Sequence, residues 1–261
     1  MSHNDQALRI ADEVARENAA QKVLDSAHTN LDVLERSTSR SNTQDFLQTI
    51  ISKEFAGRIA VVSSFGTEAV VLLHQVAMVN PSIPVIFLDT GMHFPQTLQY
   101  KDEIIRILGL TDVRSIPPNP DHLGREDRDD TLWQWDTDRC CHIRKVTPLT
   151  QALKGFDAWI NGRKQMHGGT RARLPRLELN GGVVKVNPLA YWTHDDVETA
   201  FKVHNLPRHP MVEQGYASIG CWPCTGPNEG TGLRSGRWAG SDKTECGIHL
   251  PSPSRVAAGD S

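Results

Sequence analysis

The chain has 261 residues, 38% of them hydrophobic and 23% charged, which is enough apolar material to bury a core and excludes wholesale disorder. Its 28 Lys+Arg against 31 Asp+Glu give a formal net charge of −3, so nothing global draws it to nucleic acid or to an anionic membrane, and any anion must be held by a local site. No apolar run reaches the roughly 18 residues that a membrane-spanning helix needs, and Met1 to Gln21 is polar with acids and bases mixed; neither a signal peptide nor a membrane anchor is expected, and the protein reads as cytoplasmic.

Residues 1–50 read as a helical segment packed on the core, because Leu24, Leu31, Leu34, Phe46, Leu47, Ile50 and Ile51 recur at three-to-four spacing. Residues 51–215 read as a nucleotide-binding α/β domain. Its first unit is a strand at Ile59-Ala60-Val61-Val62, a tight loop Ser63-Ser64-Phe65-Gly66-Thr67, and a helix from Glu68 to Val79. A second unit follows with a strand at Pro84 to Leu88, the loop Asp89-Thr90-Gly91, and a helix that starts at Pro95 and runs to about Leu108. A third strand is expected near Asp112 to Ile116, then a polar surface excursion from Asn119 to Asp138, a helix over Lys145 to Leu153, and strands at Ala158 to Ile160 and Val183 to Val186. Strands alternating with helices at this spacing predict a mainly parallel sheet with helices on both faces and a ligand beyond the carboxyl ends of the strands. Residues 216–261 are rich in Gly and Pro with little periodicity, so something other than core packing must order them.

The first loop lies between a buried strand and a helix start, where free N–H groups and the helix dipole favour an anion. Ser63, Ser64 and Thr67 add hydroxyl donors, and Gly66 lets backbone approach closely. The loop is neither a Walker A sequence nor a G-x-G-x-x-G fingerprint. Asp89 and Thr90 are expected to face the same crevice and to bond a ribose or a base edge. Two adjacent polar loops favour a nucleotide.

Five cysteines fit no even disulfide framework. Cys140-Cys141 and Cys221-Trp222-Pro223-Cys224 form two tight pairs, which in a chain without an export signal point to metal or redox chemistry. Four thiolates could hold zinc or an iron–sulfur cluster; adjacent cysteines diverge and suit the separate irons of a cluster better than one ion. Cys246 stands apart, near Lys243 and His249, where a lowered pKa would expose a nucleophilic thiolate. Lys145, Arg163, Arg171, Arg234 and Arg237 lie beside the cysteines in sequence and suit phosphate or sulfate oxygens. His93, His122, His194, His204 and His209 show no metal-ligand spacing and read as structural or exposed.

Ser63-Ser64-Phe65-Gly66, Leu88-Asp89-Thr90-Gly91 with His93-Phe94-Pro95, Cys140-Cys141-x-x-Arg144-Lys145, Gly220-Cys221-x-x-Cys224-Thr225, Arg234-x-Gly236-Arg237-Trp238 and Glu245-Cys246-Gly247-x-His249 together resemble the assimilatory adenylyl-sulfate reductases, of the PP-loop, adenine nucleotide α-hydrolase-like fold. The match runs in order from about residue 55 to 250. The resemblance implies a [4Fe–4S] cluster on Cys140, Cys141, Cys221 and Cys224, and Cys246 as the nucleophile that attacks the sulfur of adenosine 5′-phosphosulfate. It further implies that Lys145, Arg171, Arg234 and Arg237 neutralise the phosphosulfate with His249 close by. Thioredoxin or glutaredoxin would then release sulfite from an S-sulfocysteine. Only 15 residues follow Cys246, so the donor is expected to be a separate protein.

One departure is Met166-His167-Gly168-Gly169, where relatives usually show a Ser-Pro-type turn, and it puts the role of Arg171 in question. An ATP-cleaving PP-loop enzyme lacks support, since Glu68-Ala69 replaces the Asp-Ser end of its loop; a metal-bearing nucleotide sensor leaves Cys246 and His249 without a purpose. The 3′-phosphorylated nucleotide is the runner-up substrate. Neither nucleic acid nor membrane is expected as a partner, and a homo-oligomer is compatible with the sequence.

Overall fold

The computed structural model describes residues 29–228, 230, 232–238 and 243–250. Residues 29–38 are helical (α1), and the expected helix positions before residue 29, Leu24 among them, lie outside the described residues. Helix α2 (Thr43–Thr49) starts at Asn42, whose side chain accepts the Asp45 N–H, and continues as a wider turn, Ile50–Glu54. It buries Phe46, Leu47, Ile50 and Ile51 against the sheet, while Leu31 and Leu34 pack at the margin.

Six strands form one sheet: β1 (Ile59–Val62), β2 (Val85–Leu88), β3 (Val113–Ile116), β4 (Ala158–Ile160), β5 (Leu177–Asn180) and β6 (Val183–Val186), in the order β3-β2-β1-β4-β6-β5. All pairings are parallel except β5 with β6. In β1 every residue is buried, because Ile59 and Val61 face one core and Ala60 and Val62 the other, as expected of a parallel strand covered on both sides. The larger core takes α3 (Ala69–Ala77), α4 (Pro95–Leu108) and α8 (His194–Val203); the smaller takes Leu149 from α7 (Thr147–Ala152) and Leu153 just after it. Pro95 opens α4 and Gly109, at φ 63°, closes it in the left-handed conformation. Among the described residues no helix is long and apolar enough to cross a membrane.

Three elements differ from the sequence reading. Strand β5 was not expected; Gly181 and Gly182, at φ 60° and 79°, make the two-residue turn that folds it back on β6, and their adjacency is the signal that marks it. Cys140 and Cys141 stand ahead of the expected helix but themselves end one, α6 (Thr137–Cys141), which runs on through a wide turn, His142–Val146, into α7. The stretch Asn119 to Asp138 is more than a surface excursion: it forms α5 (Pro120–Glu126) and, beyond it, buries Leu132 and Asp127. The Arg144 guanidinium reaches Asp127 Oδ2 through Nη2 at 2.6 Å and Nε at 2.9 Å, and also contacts Asp130. Its Nη1 donates to the Thr90 carbonyl at 2.8 Å. One buried cation therefore ties the excursion, the cysteine helix and the loop after β2 together.

Arg144→Met strands the Asp127 carboxylate in the interior and is expected to cost about 3–5 kcal/mol in urea denaturation. Asp130→Asn removes only the exposed partner and is expected to cost under about 1 kcal/mol.

Candidate active site

A cavity opens at the carboxyl ends of β1 and β4, and Cys246 lies on its wall. The loop after β1 supplies Ser63, Ser64, Gly66 and Thr67. Phe65 takes φ 48° there, and its ring is fully buried edge-on against Phe87, so core packing holds the loop in a conformation few non-glycine residues adopt. Thr67 Oγ1 donates to the Ala217 carbonyl at 2.9 Å, which joins the loop to the segment leading to Cys221.

Lys145, Arg163, Lys164, Arg171, Arg234 and Arg237 bring positive charge to this cavity, against the carboxylates of Glu68 and Glu245. Glu68 Oε2 lies 2.8 Å from Lys164 Nζ and 3.2 Å from His167 Nε2; although burial opposes it, these partners hold the carboxyl at about 2. Glu245 accepts both arms of Arg171, at 2.6 and 2.8 Å, lies 3.6 Å from Arg234, and accepts the Cys246 N–H at 2.9 Å. Burial, reinforced by Arg171, pushes Arg234 down to about 10.

Arg237 is seated against Gly220. A Cβ on Gly220 would stand 2.3 Å from its Nη2, and one on Gly236 would stand 2.2 Å from the Gly226 carbonyl oxygen, so both glycines are needed to seat the turn Arg234-Ser235-Gly236-Arg237. Arg237 Nε and His249 Nδ1 are buried without a hydrogen-bond partner among the described residues, two polar atoms at the wall of an anion-seeking cavity. The His249 ring stacks on Trp159 at 5.8 Å between centroids and 12° between planes; burial, then Arg163 and Arg171, keep it neutral well below the usual imidazole range.

Cys140 and Cys221 share one apolar cluster with Met92, Leu132 and Ile143. Cys224 follows Cys221 by a single turn, its N–H donating to the Cys221 carbonyl at 3.1 Å. Burial pushes Cys140 up to about 11 and Cys224 above the ordinary thiol value, and the nearby Cys221 adds to both. Cys141 diverges from Cys140 and donates a hydrogen bond to Cys246. That bond, followed by Lys145, the Ile248 N–H and Arg237, holds Cys246 well below an ordinary thiol against the cost of burial. Among the described residues no group of three or more His, Cys, Asp or Glu side chains is set for a single metal ion.

Of the residues expected to meet a substrate, Ser63, Ser64, Gly66, Thr67, Lys145, Arg171, Arg234, Arg237 and His249 line the cavity. Asp89 and Thr90 do not. Asp89 Oδ1 accepts the Gly91 N–H at 3.2 Å, and Thr90 turns to the cysteine wall, with Oγ1 3.3 Å from Cys221 Sγ. The Arg144 bond to the Thr90 carbonyl draws that loop away, and Leu88 and His93 line the cavity instead. His93 Nε2 bonds the Leu88 carbonyl at 2.8 Å, and His209 is bonded to Thr97 Oγ1 at 3.0 Å inside the core. The sequence reading overlooked Glu68, Lys164 and His167. Their position just before a helix start or past a strand end was the available signal.

A mostly parallel sheet with a polar loop, a cation-lined cavity and a thiol on the cavity wall at its strand ends defines an α/β fold of the PP-loop type. Residues 58–227 match the phosphoadenosine phosphosulfate reductase domain, and the chain belongs to that family. An adenosine 5′-phosphosulfate reductase of Mesorhizobium japonicum is 49% identical over 197 residues, 75% of this chain and 78% of the relative. The crystal structure of a phosphoadenylyl-sulfate reductase from Candida auris in complex with phosphate superposes with a TM-score of 0.63 at 25% identity, over 74% of this chain and 94% of that one. The FMN adenylyltransferase of Candida glabrata, with a TM-score of 0.51 at 16% identity over 75% of this chain and 68% of its own, shares the fold alone.

The depressed Cys246 pKa predicts that iodoacetamide labels this thiol, followed by peptide mass, with a pH midpoint below the value of about 8.5 for a free cysteine. Lys145→Met is expected to raise that midpoint by about one pH unit.

Proposed function

We propose that this protein reduces adenosine 5′-phosphosulfate to sulfite and AMP in the assimilation of sulfate, in the cytoplasm. The observation that carries the reading is the position of Cys246 on the wall of a cavity that Lys145, Arg171, Arg234 and Arg237 also line. In the proposed reaction the Cys246 thiolate attacks the sulfate sulfur, the sulfur–oxygen bond to phosphorus breaks, and AMP departs with that oxygen and the electron pair. The cations meet the charge that gathers on the leaving phosphate, where preorganised donors act most strongly. Neutral His249, its Nδ1 buried, is available to the sulfonate. A dithiol donor such as thioredoxin or glutaredoxin then attacks Cys246 Sγ of the S-sulfocysteine; sulfite leaves with the electron pair, and the donor's second thiol resolves the mixed disulfide to regenerate Cys246.

Cys140, Cys141, Cys221 and Cys224 are the proposed ligands of a [4Fe–4S] cluster. The all-sulfur donor set supports this, with Cys140 beside Cys221 and Cys224 and the adjacent Cys141 turned toward Cys246. When bound, such a cluster would supply anionic thiolate charge beside Lys145 and Arg237. The anaerobically purified protein is expected to hold about four irons per chain, and Cys140→Ser or Cys224→Ser to lose them; a colourless protein with stoichiometric zinc would refute this part.

Substrate without reductant is expected to add about 80 Da to Cys246 and release one AMP per site, the burst of a covalent mechanism. Thioredoxin added afterwards should discharge the adduct as sulfite. Sulfite formation by Cys246→Ser at the wild-type rate would sink the proposal, and the 3′-phosphorylated nucleotide, assayed beside it, is expected to be the poorer substrate.

A further inference from the structure

His167 lies in the loop after β4, and its ring touches two of the groups described above. Gly168 and Gly169, at φ 64° and 57°, reverse the chain between two short 3-10 turns, Gln165–His167 and Gly169–Arg171, and so bring the His167 and Arg171 side chains together. Nδ1 of the ring lies 3.2 Å from Arg171 Nη1, and Nε2 lies 3.2 Å from Glu68 Oε2. A guanidinium has only donors, so Nδ1 must accept, and Nε2 therefore carries the proton and donates to Glu68. The contacts assign the tautomer. The rest of the Arg171 fork closes on Glu245, and Glu245 accepts the Cys246 N–H. An unbroken run of hydrogen bonds thus leads from Glu68, just before α3, to the nucleophile.

We infer that His167 is a positioning residue for the proposed reaction: its neutral, Nε2-protonated ring fixes Arg171 at the cavity and couples the nucleotide loop to the turn that carries Cys246. The inference rests on reading the cavity as a phosphosulfate site. Facing the ring are Glu68 from the start of α3, Lys164 and Arg171 from its own loop, and Glu245 beyond Arg171. Burial disfavours the imidazolium, Glu68 favours it, and Lys164 and Arg171 oppose it again, leaving the pKa below the usual 6.5. Above that pKa the ring accepts from Arg171. As the pH falls through it, Nδ1 gains a hydrogen, two donors and two positive charges confront each other, and Arg171 is released from its place.

The test is the affinity of the holoprotein for adenosine 5′-phosphosulfate, measured by calorimetry on a Cys246→Ser background so that nothing turns over, between about pH 5 and pH 8. With His167 present, affinity is expected to weaken toward the acid end. His167→Leu is expected to bind about tenfold more weakly across the range and to lose the pH dependence, the scale of a lost hydrogen bond to a charged group. A Gln amide can accept from Arg171 and donate to Glu68 at any pH, so His167→Gln should restore most of the affinity and stay flat with pH. Wild-type affinity in His167→Leu, or an acid limb that survives in His167→Gln, would overturn the inference. Failure of the Cys246→Ser parent to bind the nucleotide at any pH would instead overturn the proposed function.

Discussion

Unbalanced positive charge is the constraint on which the rest of this structure depends. Six cationic side chains line one cavity with only two carboxylates among them, and each carboxylate is shared, Glu68 between Lys164 and His167, Glu245 between Arg171 and Arg234. Like charges a few ångströms apart in a poorly solvated site repel by several kcal/mol. The strain registers in the titration of the groups: burial and neighbouring cations push Arg234 down to about 10 and Lys185, set against the Trp159 ring, down to about 8. Only a rigid frame tolerates this arrangement, and the sheet with its two cores provides one. An anion seated in the cavity relieves the repulsion, so ligand binding and stability rise together.

The thiols divide along the same line. Cys140 and Cys224 sit where apolar neighbours dominate and are pushed toward the neutral form, whereas Cys246 faces Lys145 and Arg237 and is pulled toward the thiolate. Cys140 and Cys224 differ from Cys246 because burial dominates at the first two and hydrogen bonding and charge at the third. Arg144 keeps the two settings apart. It draws the Thr90 loop and Asp127 against the cysteine helix and leaves the adjacent Lys145 to face the cavity.

The sheet was legible in the sequence because strands covered on both faces are continuous apolar runs, as in Ile59–Val62 and Val85–Leu88. Strand β5, at an edge, alternates Leu177-Glu178-Leu179-Asn180 and gives no such run. The cysteines were legible because their spacing is chemical. Hydropathy could not reveal that Asp127 is buried, since what buries it is an ion pair with a residue 17 positions on. Nor could it link Glu68 to Lys164 and His167, 96 and 99 positions away. Asp89 and Thr90 were misplaced for a related reason: proximity to a strand end shows which crevice a loop adjoins, not which way a distant arginine turns it.

Charge also governs how the C-terminal turn is held. Residues 243–250 are held to the body mainly by polar contacts: Lys243 to Asp138, Glu245 to Arg171, the Leu250 carbonyl to Asn180 Nδ2, with His249 stacked on Trp159 and Ile248 packed at the margin of the smaller core. Apolar burial would fix such a segment in place. Polar contacts can be exchanged one for another, and an anion entering the cavity competes with Glu245 for the same two guanidinium groups. The Glu245 contacts that hold the Cys246 turn down are therefore the ones an anion in the cavity weakens on arrival.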